Sequence, residues 1–522
     1  MQSKTNKSFN AKDFFRKAWK IGSYSSGYAL GGGVVQVFTL YYMGFLMFGM
    51  GLPPLMAGAV IAIGKIWDGF IDPAMGLAVD NTKTRFGSCR PWFLISAVPI
   101  FFTYFMLWYC FGIGSVNGKF FYFLFAQILF STAYSMGTVP YDALLPRMID
   151  NYDERTNYSS ARMVFSGIAS VGGNYIYQLL IPVTKVEDYA GLDAQFMKLG
   201  LILGAVFAVP LLITFIGTKE KARPVNIEAQ RNDSPKNLRD VFKNYGELLK
   251  SKIYLKCYLL TMLAAFIYYA MSISLVIFVL LVYKNPEYKI TLGSLVIPFT
   301  LSFLVVNLRD FFEMGLFIPN VLIMKKYNKH RPFLIDLPLL FVGSAILLFV
   351  SPQVPLFIYL IGVGFIGAGV SCLNFVPNSL MPDLTDIDEM VSGKRREGTN
   401  AGLISLGRQV VQGLSFLVFG IVLKVFNLSE DNAASAEATF GNLAALKIML
   451  CVIPIVGGAI MYIISRKYNL DAKSHSFIKA KIAEKHQSGC AEISADERKT
   501  LTDITGIPYE QMWIGRAENQ AE

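Results

Sequence analysis

Three charged side chains fall inside one long apolar stretch of the sequence. Lys65, Asp68 and Asp72 lie in an apolar run at about residues 52–79, which is long enough to cross a bilayer as a helix. Their spacing of i, i+3 and i+7 puts them on one helical face. One positive and two negative charges leave a single negative charge, which one Na⁺, Li⁺ or proton would balance. We interpret the group as functional because each intramembrane charge costs about 2.5–3.5 kcal/mol; a structural ion pair is the alternative.

Further polar side chains occur inside other predicted spans. Asp142 and Arg408 are the most costly if unpaired, and pairing with each other or with helix ends is the alternative to a binding role. Neutral polar groups beside aromatic rings suit a sugar, because its hydroxyls need hydrogen bonds and its C–H faces pack on rings. Arg162 and Arg408 would also suit a carboxylate. The candidates for binding a solute are Tyr24, Ser26, Tyr134, Thr138, Asp142, Arg162, Asn374, Arg408 and Gln409.

Charged residues also mark the loop that follows the first cluster. Asp80 lies at one predicted helix end, and Arg85 and Arg90 precede the next helix. A carboxylate that faces arginines across a loop is suited to a conformational latch, which breaks and re-forms as two halves rock. Simple anchoring of the loop is an equally open alternative.

The elements that would position these residues are membrane helices. The chain has 522 residues, of which 53% are hydrophobic, and a mean hydropathy of +0.44, which is typical of a polytopic membrane protein. The net charge of +11 comes from basic loops on one side, so it indicates membrane topology and no nucleic-acid partner. The six cysteines form no CxxC pair and the three histidines lie outside the spans. We therefore expect no disulfide framework, zinc site or other cofactor.

Twelve apolar spans are predicted, and the basic loops between them put both termini in the cytoplasm. The spans are 23–49, 52–79, 92–113, 119–147, 161–183, 198–217, 254–283, 307–325, 333–351, 355–382, 399–427 and 440–465.

The two halves of the chain repeat each other. Residues 85–92 (RFGSCRPW) match 326–333 (KYNKHRPF) at an offset of 241, and Val139-Pro140 matches Val376-Pro377 at an offset of 237. The repeat predicts an all-α major facilitator fold with two pseudo-symmetric six-helix bundles. The predicted parts are a cytoplasmic N-terminus (1–22), the first bundle (23–217), a cytoplasmic linker (218–253), the second bundle (254–465) and a cytoplasmic tail with short helices (466–522).

Two segments fall outside the repeat. Residues 284–304 are an insertion relative to it, and whether the apolar part of this insertion extends a helix or is re-entrant stays open. Arg309, Asp310 and Glu313 follow it, and we interpret them as structural ion pairs. In the tail, Ser494 and Glu497 form a capping-box pattern before a short helix that Gly506 and Pro508 would end. Three roles for the tail stay open: it could act as a lid, dock on the rest of the chain, or bind a partner.

The second-span motif is similar to that of a known family. The matching residues of the first half are Trp67-Asp68, Asp72-Pro73, Gly76, Asp80, Arg85-Phe86-Gly87, Arg90-Pro91-Trp92, Val139-Pro140-Tyr141, Leu145-Pro146, Asp153-Glu154-Arg155 and Arg162. Those of the second half are Asp383, Glu389, Arg395 and Glu397. Over about residues 20–465 the chain resembles the glycoside–pentoside–hexuronide:cation symporters.

The resemblance implies a cation site and a rebuilt solute pocket. It implies that Asp68, Asp72 and the hydroxyl of Ser135 bind a cation, with Lys65 as the family's basic residue. Ile71 replaces an asparagine, which puts a preference for Na⁺ in doubt. Tyr134 and Arg162 match the family's sugar site. The positions that depart from it are Ser26, Thr138, Asp142, Asn374 and Gln409.

Together these features predict a monomeric, cation-coupled secondary symporter of a cell membrane. It would carry a sugar, glycoside or uronide with Na⁺, Li⁺ or H⁺, and it would be no enzyme. One alternative is a lysolipid or other amphiphile carrier of the same fold, because lysophospholipid carriers resemble it in the second-span aspartates. A receptor that transports nothing is the other alternative.

Overall fold

Most of the chain that the computed structural model describes is helical. The described residues are 11–149, 152–183, 186–189, 191–220, 237–292, 295–394, 396–426, 440–466, 472–488 and 493–516.

The chain divides into two compact units. Unit 1 comprises Met1–Phe45, Ala74–Pro182 and Tyr189–Ser234, and unit 2 comprises Leu46–Pro73, Val183–Asp188 and Pro235–Glu522. The predicted boundaries of the two six-helix bundles stay a prediction.

The α-helices before the insertion are α1 (Ala11–Ser26), α2 (Pro54–Asn81), α3 (Arg90–Trp108), α4 (Val116–Met148), α5 (Tyr152–Leu180), α6 (Asp193–Gly217), α7 (Leu238–Leu248) and α8 (Lys252–Tyr283). Those after it are α9 (Leu301–Gly315), α10 (Phe317–Lys326), α11 (Arg331–Phe349), α12 (Leu356–Ser392), α13 (Glu397–Val425), α14 (Phe440–Lys447), α15 (Ile453–Arg466), α16 (Ala472–Ser488) and α17 (Ala495–Thr505). Short π-helical segments are Leu30–Val34, Phe38–Tyr42, Phe45–Gly49 and Ile448–Val452.

Nine helical segments within the described ranges are long and apolar enough to cross a membrane. Three predicted spans are not among these nine. The predicted span 23–49 is a series of short α and π segments, 161–183 lies in α5, and 307–325 is divided between α9 and α10. The number twelve therefore stays a prediction.

Aromatic side chains and glycines build the core of unit 1. The ring of Phe45 lies 5.0 Å from that of Trp108 and 4.5 Å from that of Phe196. Helices α3 and α6 approach closely, because a Cβ at Gly204 would lie 3.0 Å from the carbonyl oxygen of Phe101. Small residues allow such close packing between membrane helices.

In unit 2, glycines bring the first part of α2 against α13. A Cβ at Gly58 would lie 2.7 Å from the carbonyl oxygen of Phe416, and one at Gly413 would lie 3.1 Å from Cβ of Lys65. Because α2 and α13 touch at Gly413, the packing fixes the position of Lys65 and of the charged face that it shares with Asp68.

The insertion between α8 and α9 contains a β-hairpin. Strands β1 (Glu287–Leu292) and β2 (Leu295–Thr300) pair antiparallel, with Glu287 opposite Thr300. The Thr300 side chain then accepts a hydrogen bond from the backbone N–H of Phe303 and caps α9. The apolar part of the insertion is thus a strand followed by the start of α9. It is neither a simple helix extension nor a re-entrant segment, the two alternatives that the sequence left open.

The tail packs on the end of α12 within unit 2. Nε2 of His475 lies 2.9 Å from Oδ2 of Asp386, and Nε2 of His486 lies 3.0 Å from Oε1 of Glu389. The predicted capping box at Ser494 is confirmed, and α17 ends at Gly506 with φ of 71°. Among the alternatives for the tail, the structure supports a docked segment.

Candidate functional site

Lys65 and Asp68 form a buried ion pair on α2. Nζ of Lys65 lies 2.9 Å from Oδ2 of Asp68, and their side chains are 9% and 2% exposed. The other carboxylate oxygen, Oδ1 of Asp68, is buried, and no hydrogen-bond donor among the described residues reaches it. A buried acceptor without a donor is costly. A cation would satisfy this atom.

The other two predicted cation ligands are Asp72 and Ser135. Asp72 lies one turn beyond Asp68 on α2 and is partly exposed. Ser135 is buried on α4 and belongs to unit 1, whereas Asp68 and Asp72 belong to unit 2. Within the described part of the chain, no group of three or more His, Cys, Asp or Glu side chains is placed to hold a metal ion. The predicted site uses two carboxylates and a hydroxyl, and it stays a prediction.

Asp142 and Arg162 form an accessible ion pair in unit 1. Nη1 of Arg162 donates to Oδ1 of Asp142 over 3.0 Å, and the two side chains are 20% and 65% exposed, respectively. The guanidinium also stacks on Tyr28, with Cζ 4.5 Å from the ring centre. Lipid does not solvate charges, so exposed charges on membrane helices need contact with water. An accessible pair of this kind can contact a polar solute.

Tyrosines line the same part of unit 1. The rings of Tyr24 and Tyr141 stack at 4.9 Å, and the hydroxyl of Tyr141 donates to the carbonyl oxygen of Tyr24 over 2.9 Å. Tyr28 lies 5.6 Å from Tyr141. Tyr24 was predicted as a solute-site residue, whereas Tyr141 was noted only in the family motif and Tyr28 was not predicted. The available signals were the helical spacing of Tyr28 from Tyr24 and the position of Tyr141 beside Asp142.

The smaller candidates of unit 1 use their hydroxyl protons locally. The Thr138 hydroxyl donates to the carbonyl oxygen of Tyr134 over 3.0 Å, and the Ser26 hydroxyl donates to that of Ser23 over 3.0 Å. The Thr138 and Ser26 side chains are partly exposed. Their oxygen atoms can still accept hydrogen bonds from a solute.

In unit 2, the structure brings Asn374 to Glu313. Nδ2 of Asn374 on α12 donates to Oε1 of Glu313 on α9 over 2.7 Å. Arg309 pairs with Asp310, with Nη2 2.6 Å from Oδ1, as the structural interpretation predicted. Glu313 was not predicted as a site residue. Its position could have suggested it, because Glu313 is the residue of the second half that corresponds to Asp72 at the repeat offset of 241.

Arg408 and Gln409, the remaining candidates, lie on α13 and are partly exposed. Their assignment to a solute site stays a prediction.

The loop after α2 is held by three residues that were not predicted, namely Arg147, Phe215 and Glu220. Oδ1 of Asp80 lies 2.7 Å from Nη2 of Arg147 on α4. Nη2 of Arg90 donates to the carbonyl oxygen of Phe215 over 2.6 Å, and the Arg85 guanidinium stacks on the neighbouring ring of Phe86.

Glu220 fixes the start of α3. Its carboxylate accepts hydrogen bonds from the backbone N–H groups of Ser88, Cys89 and Arg90 over 2.8–2.9 Å. A carboxylate at a helix N-terminus satisfies donors that have no partner in the helix. The loop thus has anchors at both ends, which fits either a latch or simple anchoring.

The long apolar helices indicate a multi-pass membrane protein. The chain belongs to the family described as MFS/sugar transport protein, which matches residues 23–472. Known members are transporters, and the protein is not an enzyme. The predicted major facilitator fold is confirmed.

Named relatives support the predicted resemblance, which is also confirmed. The chain is 25% identical over 481 residues to the "Putative glycoside/cation symporter YagG" of Escherichia coli (strain K12), covering 88% of this chain and 95% of the relative. It is 23% identical over 508 residues to a "Putative sulfoquinovose importer" of Salmonella typhimurium, covering 93% and 96%. The nucleoside transporter NupG has a similar fold, with a TM-score of 0.55, 14% identity and coverage of 87% and 100%.

Proposed function

We propose that the protein is a cation-coupled secondary symporter that carries a sugar, glycoside or uronide by alternating access. Membership of the MFS/sugar transport protein family and the names of the glycoside/cation and sulfoquinovose relatives support this proposal. We further propose that it lies in a cell membrane with both termini in the cytoplasm, as the basic loops predict.

The observation that carries the proposal is the accessible Asp142–Arg162 pair beside Tyr24, Tyr28 and Tyr141. Sugar hydroxyls can donate to the carboxylate and accept from the guanidinium, while a sugar ring packs on the partly exposed Tyr28. The buried rings of Tyr24 and Tyr141 support Tyr28 from behind. The Arg162 group also offers charged donors to a carboxylate or sulfonate substituent. The charges and the tyrosines together favour a glycoside over an amphiphile with a long apolar chain.

The cation would bind at Asp68 and Asp72, with Ser135 as a third ligand. The free oxygen of Asp68 and the excess of one negative charge over Lys65 support this assignment. A cation that binds the solute-binding state more tightly raises the affinity for solute, and the solute raises the affinity for the cation by the same factor.

Uptake by proteoliposomes tests the proposal. Purified protein is offered a panel of neutral and acidic glycosides while Na⁺ and H⁺ gradients are varied separately. We expect accumulation of at least one glycoside against its gradient, driven by one of the two cations. Asp72→Cys should abolish this accumulation, whereas Asp503→Cys, at an exposed position in the tail, should leave it intact.

Three results would contradict the proposal. Gradient-driven accumulation by the Asp72→Cys variant would exclude the cation role of Asp72. Transport of lysolipids but of no glycoside would favour an amphiphile carrier. Binding of a glycoside with no flux under any gradient would indicate a receptor.

A further inference from the structure

One buried carboxyl group, that of Asp336, belongs to none of the sites described above. Asp336 is 1% exposed and lies on α11, which is long and apolar enough to cross a membrane. It follows the first residue of the helix by five positions, which is about 8 Å along the axis. A carboxyl group at this position needs a partner or a function.

The partners of Asp336 are neutral. Nδ2 of Asn320 on α10 donates to Oδ2 of Asp336 over 2.7 Å and lies 3.1 Å from Oγ of Ser371 on α12. Asn320 and Ser371 are 1% and 3% exposed. Among the residues that the structure describes, no lysine, arginine or histidine forms an ion pair with Asp336.

An ionised carboxylate in such surroundings is unstable. Burial of a lone charge costs several kcal/mol, and buried acids avoid that cost by pairing or by taking up a proton. Asp383 of α12 shows the paired solution, since Nζ of Lys329 lies 2.6 Å from its Oδ1. Asp336 has no such cation, so protonation is the remaining solution.

The amide of Asn320 suits a carboxyl group that changes its charge. An amide offers a donor and an acceptor, and a half-turn exchanges them. Its nitrogen can donate to a carboxylate, and its oxygen can accept from a carboxylic acid. Oδ1 of Asn320 is buried, and no described donor reaches it. Because Nδ2 faces Asp336 in the structure, the amide must make this half-turn before Oδ1 can accept from a protonated Asp336.

The helix does not require the carboxyl group for its formation. The buried residues of α3 and α11 match at an offset of 240 residues, which pairs Asp336 with the buried Ser96. Both helices begin with an arginine and a proline in the first turn. Because α3 forms with a neutral hydroxyl at this position, the helix does not need the carboxyl group of Asp336 in order to form.

The geometry points to a proton-binding site in the second half of the transporter, formed by Asp336 with Asn320 and Ser371. A hydronium ion gives its proton to a carboxylate oxygen, an O–H bond forms and water leaves. A Na⁺ ion is a poorer fit, because it needs more oxygen ligands than one carboxylate, one hydroxyl and one amide provide.

Other ionisable groups lie on the same or neighbouring elements. The thiol of Cys372 interacts electrostatically with Asp336 from α12. Glu313 of α9 interacts with the same thiol. The charged side chains near the ends of α10, α11, α12 and α15 include Lys325, Lys326, Arg331, Asp383, Asp386, Asp388, Glu389 and Arg466.

Infrared difference spectroscopy of the full chain in liposomes tests the site without any solute, so its outcome is independent of the proposed transport function. Spectra are recorded in choline buffers between about pH 5 and about pH 9. We expect the wild type to lose one carboxylic-acid C=O band at high pH. Asp336→Asn should lack that band, and the matched control Asp383→Asn should keep it. Asn320→Leu keeps the carboxyl group but removes its hydrogen-bond donor, and it should shift the band frequency.

The proposal is overturned if the band persists in Asp336→Asn, or if the wild type shows no such band. If Asp336→Asn fails to fold, an unshifted band in Asn320→Leu overturns it. Loss of the band when Na⁺ replaces choline at constant pH would assign the site to Na⁺ instead of a proton.

Discussion

Replacement of Lys65 by methionine tests the charged face of α2. The change keeps the length of the side chain and removes the positive charge 2.9 Å from Asp68. Asp68 then remains as a buried carboxylate without its main counter-charge. We expect a large loss of stability, because the cost of burying Asp68 is no longer offset.

The magnitude follows from burial. Both side chains are at most 9% exposed, so the pair belongs to the buried class, in which removal of one partner costs about 3–5 kcal/mol. That cost lowers the folded-to-unfolded ratio about 150- to 4,000-fold. A second change, Asp68→Leu, removes the stranded charge. The double variant Lys65→Met/Asp68→Leu should therefore regain most of the loss.

Equilibrium unfolding in mixed micelles, followed by tryptophan fluorescence, measures these differences. Lys256→Met is the matched control, because Lys256 is exposed on α8, and it should change stability by no more than about 0.5 kcal/mol. If Lys65→Met is as stable as this control, or if the double variant is no more stable than the single one, the ion pair does not have the energetic role assigned here.

Three further predictions concern packing, the solute pair and the tail. Gly413→Leu should push α13 away from α2 and cost about 1–3 kcal/mol, measured by the same unfolding assay. Arg162→Lys keeps the charge but loses the planar contact with Asp142, and initial glycoside uptake should fall about tenfold or more, with unchanged protein yield. The backbone N–H of Ser494 holds the pKa of Glu497 below its ordinary value. The stability that Glu497 adds to α17 is therefore present above its unfolded-state pKa and lost as pH falls through its folded-state pKa. Hydrogen exchange of the α17 amides should therefore become faster at low pH in the wild type, and this change should be absent from Glu497→Gln.

Local sequence patterns predicted the features that depend on neighbours along the chain. The i, i+3 spacing of Lys65 and Asp68 is a property of any helix, and the structure contains their ion pair. The capping box at Ser494 likewise involves four consecutive residues. The major facilitator fold followed from the repeat and from the apolar spans.

Contacts between distant segments could not be predicted in the same way. Many basic residues could pair with Asp80, and only the folded chain selects Arg147. Asn374 was named for its position in a span, but its partner Glu313 lies 61 residues away. The β-hairpin was missed because a short apolar run has no periodicity that separates a strand from a helix.

The docking of the tail on α12 has a consequence for biosynthesis. His475 follows Asp386 by 89 residues and His486 follows Glu389 by 97. At the usual rates of translation, the ribosome needs roughly 4–20 s to make that length of chain. During this interval the acidic end of α12 is already synthesised while its two histidine partners are not. A nascent chain that stalls before residue 475 would lack both histidine partners of these carboxylates.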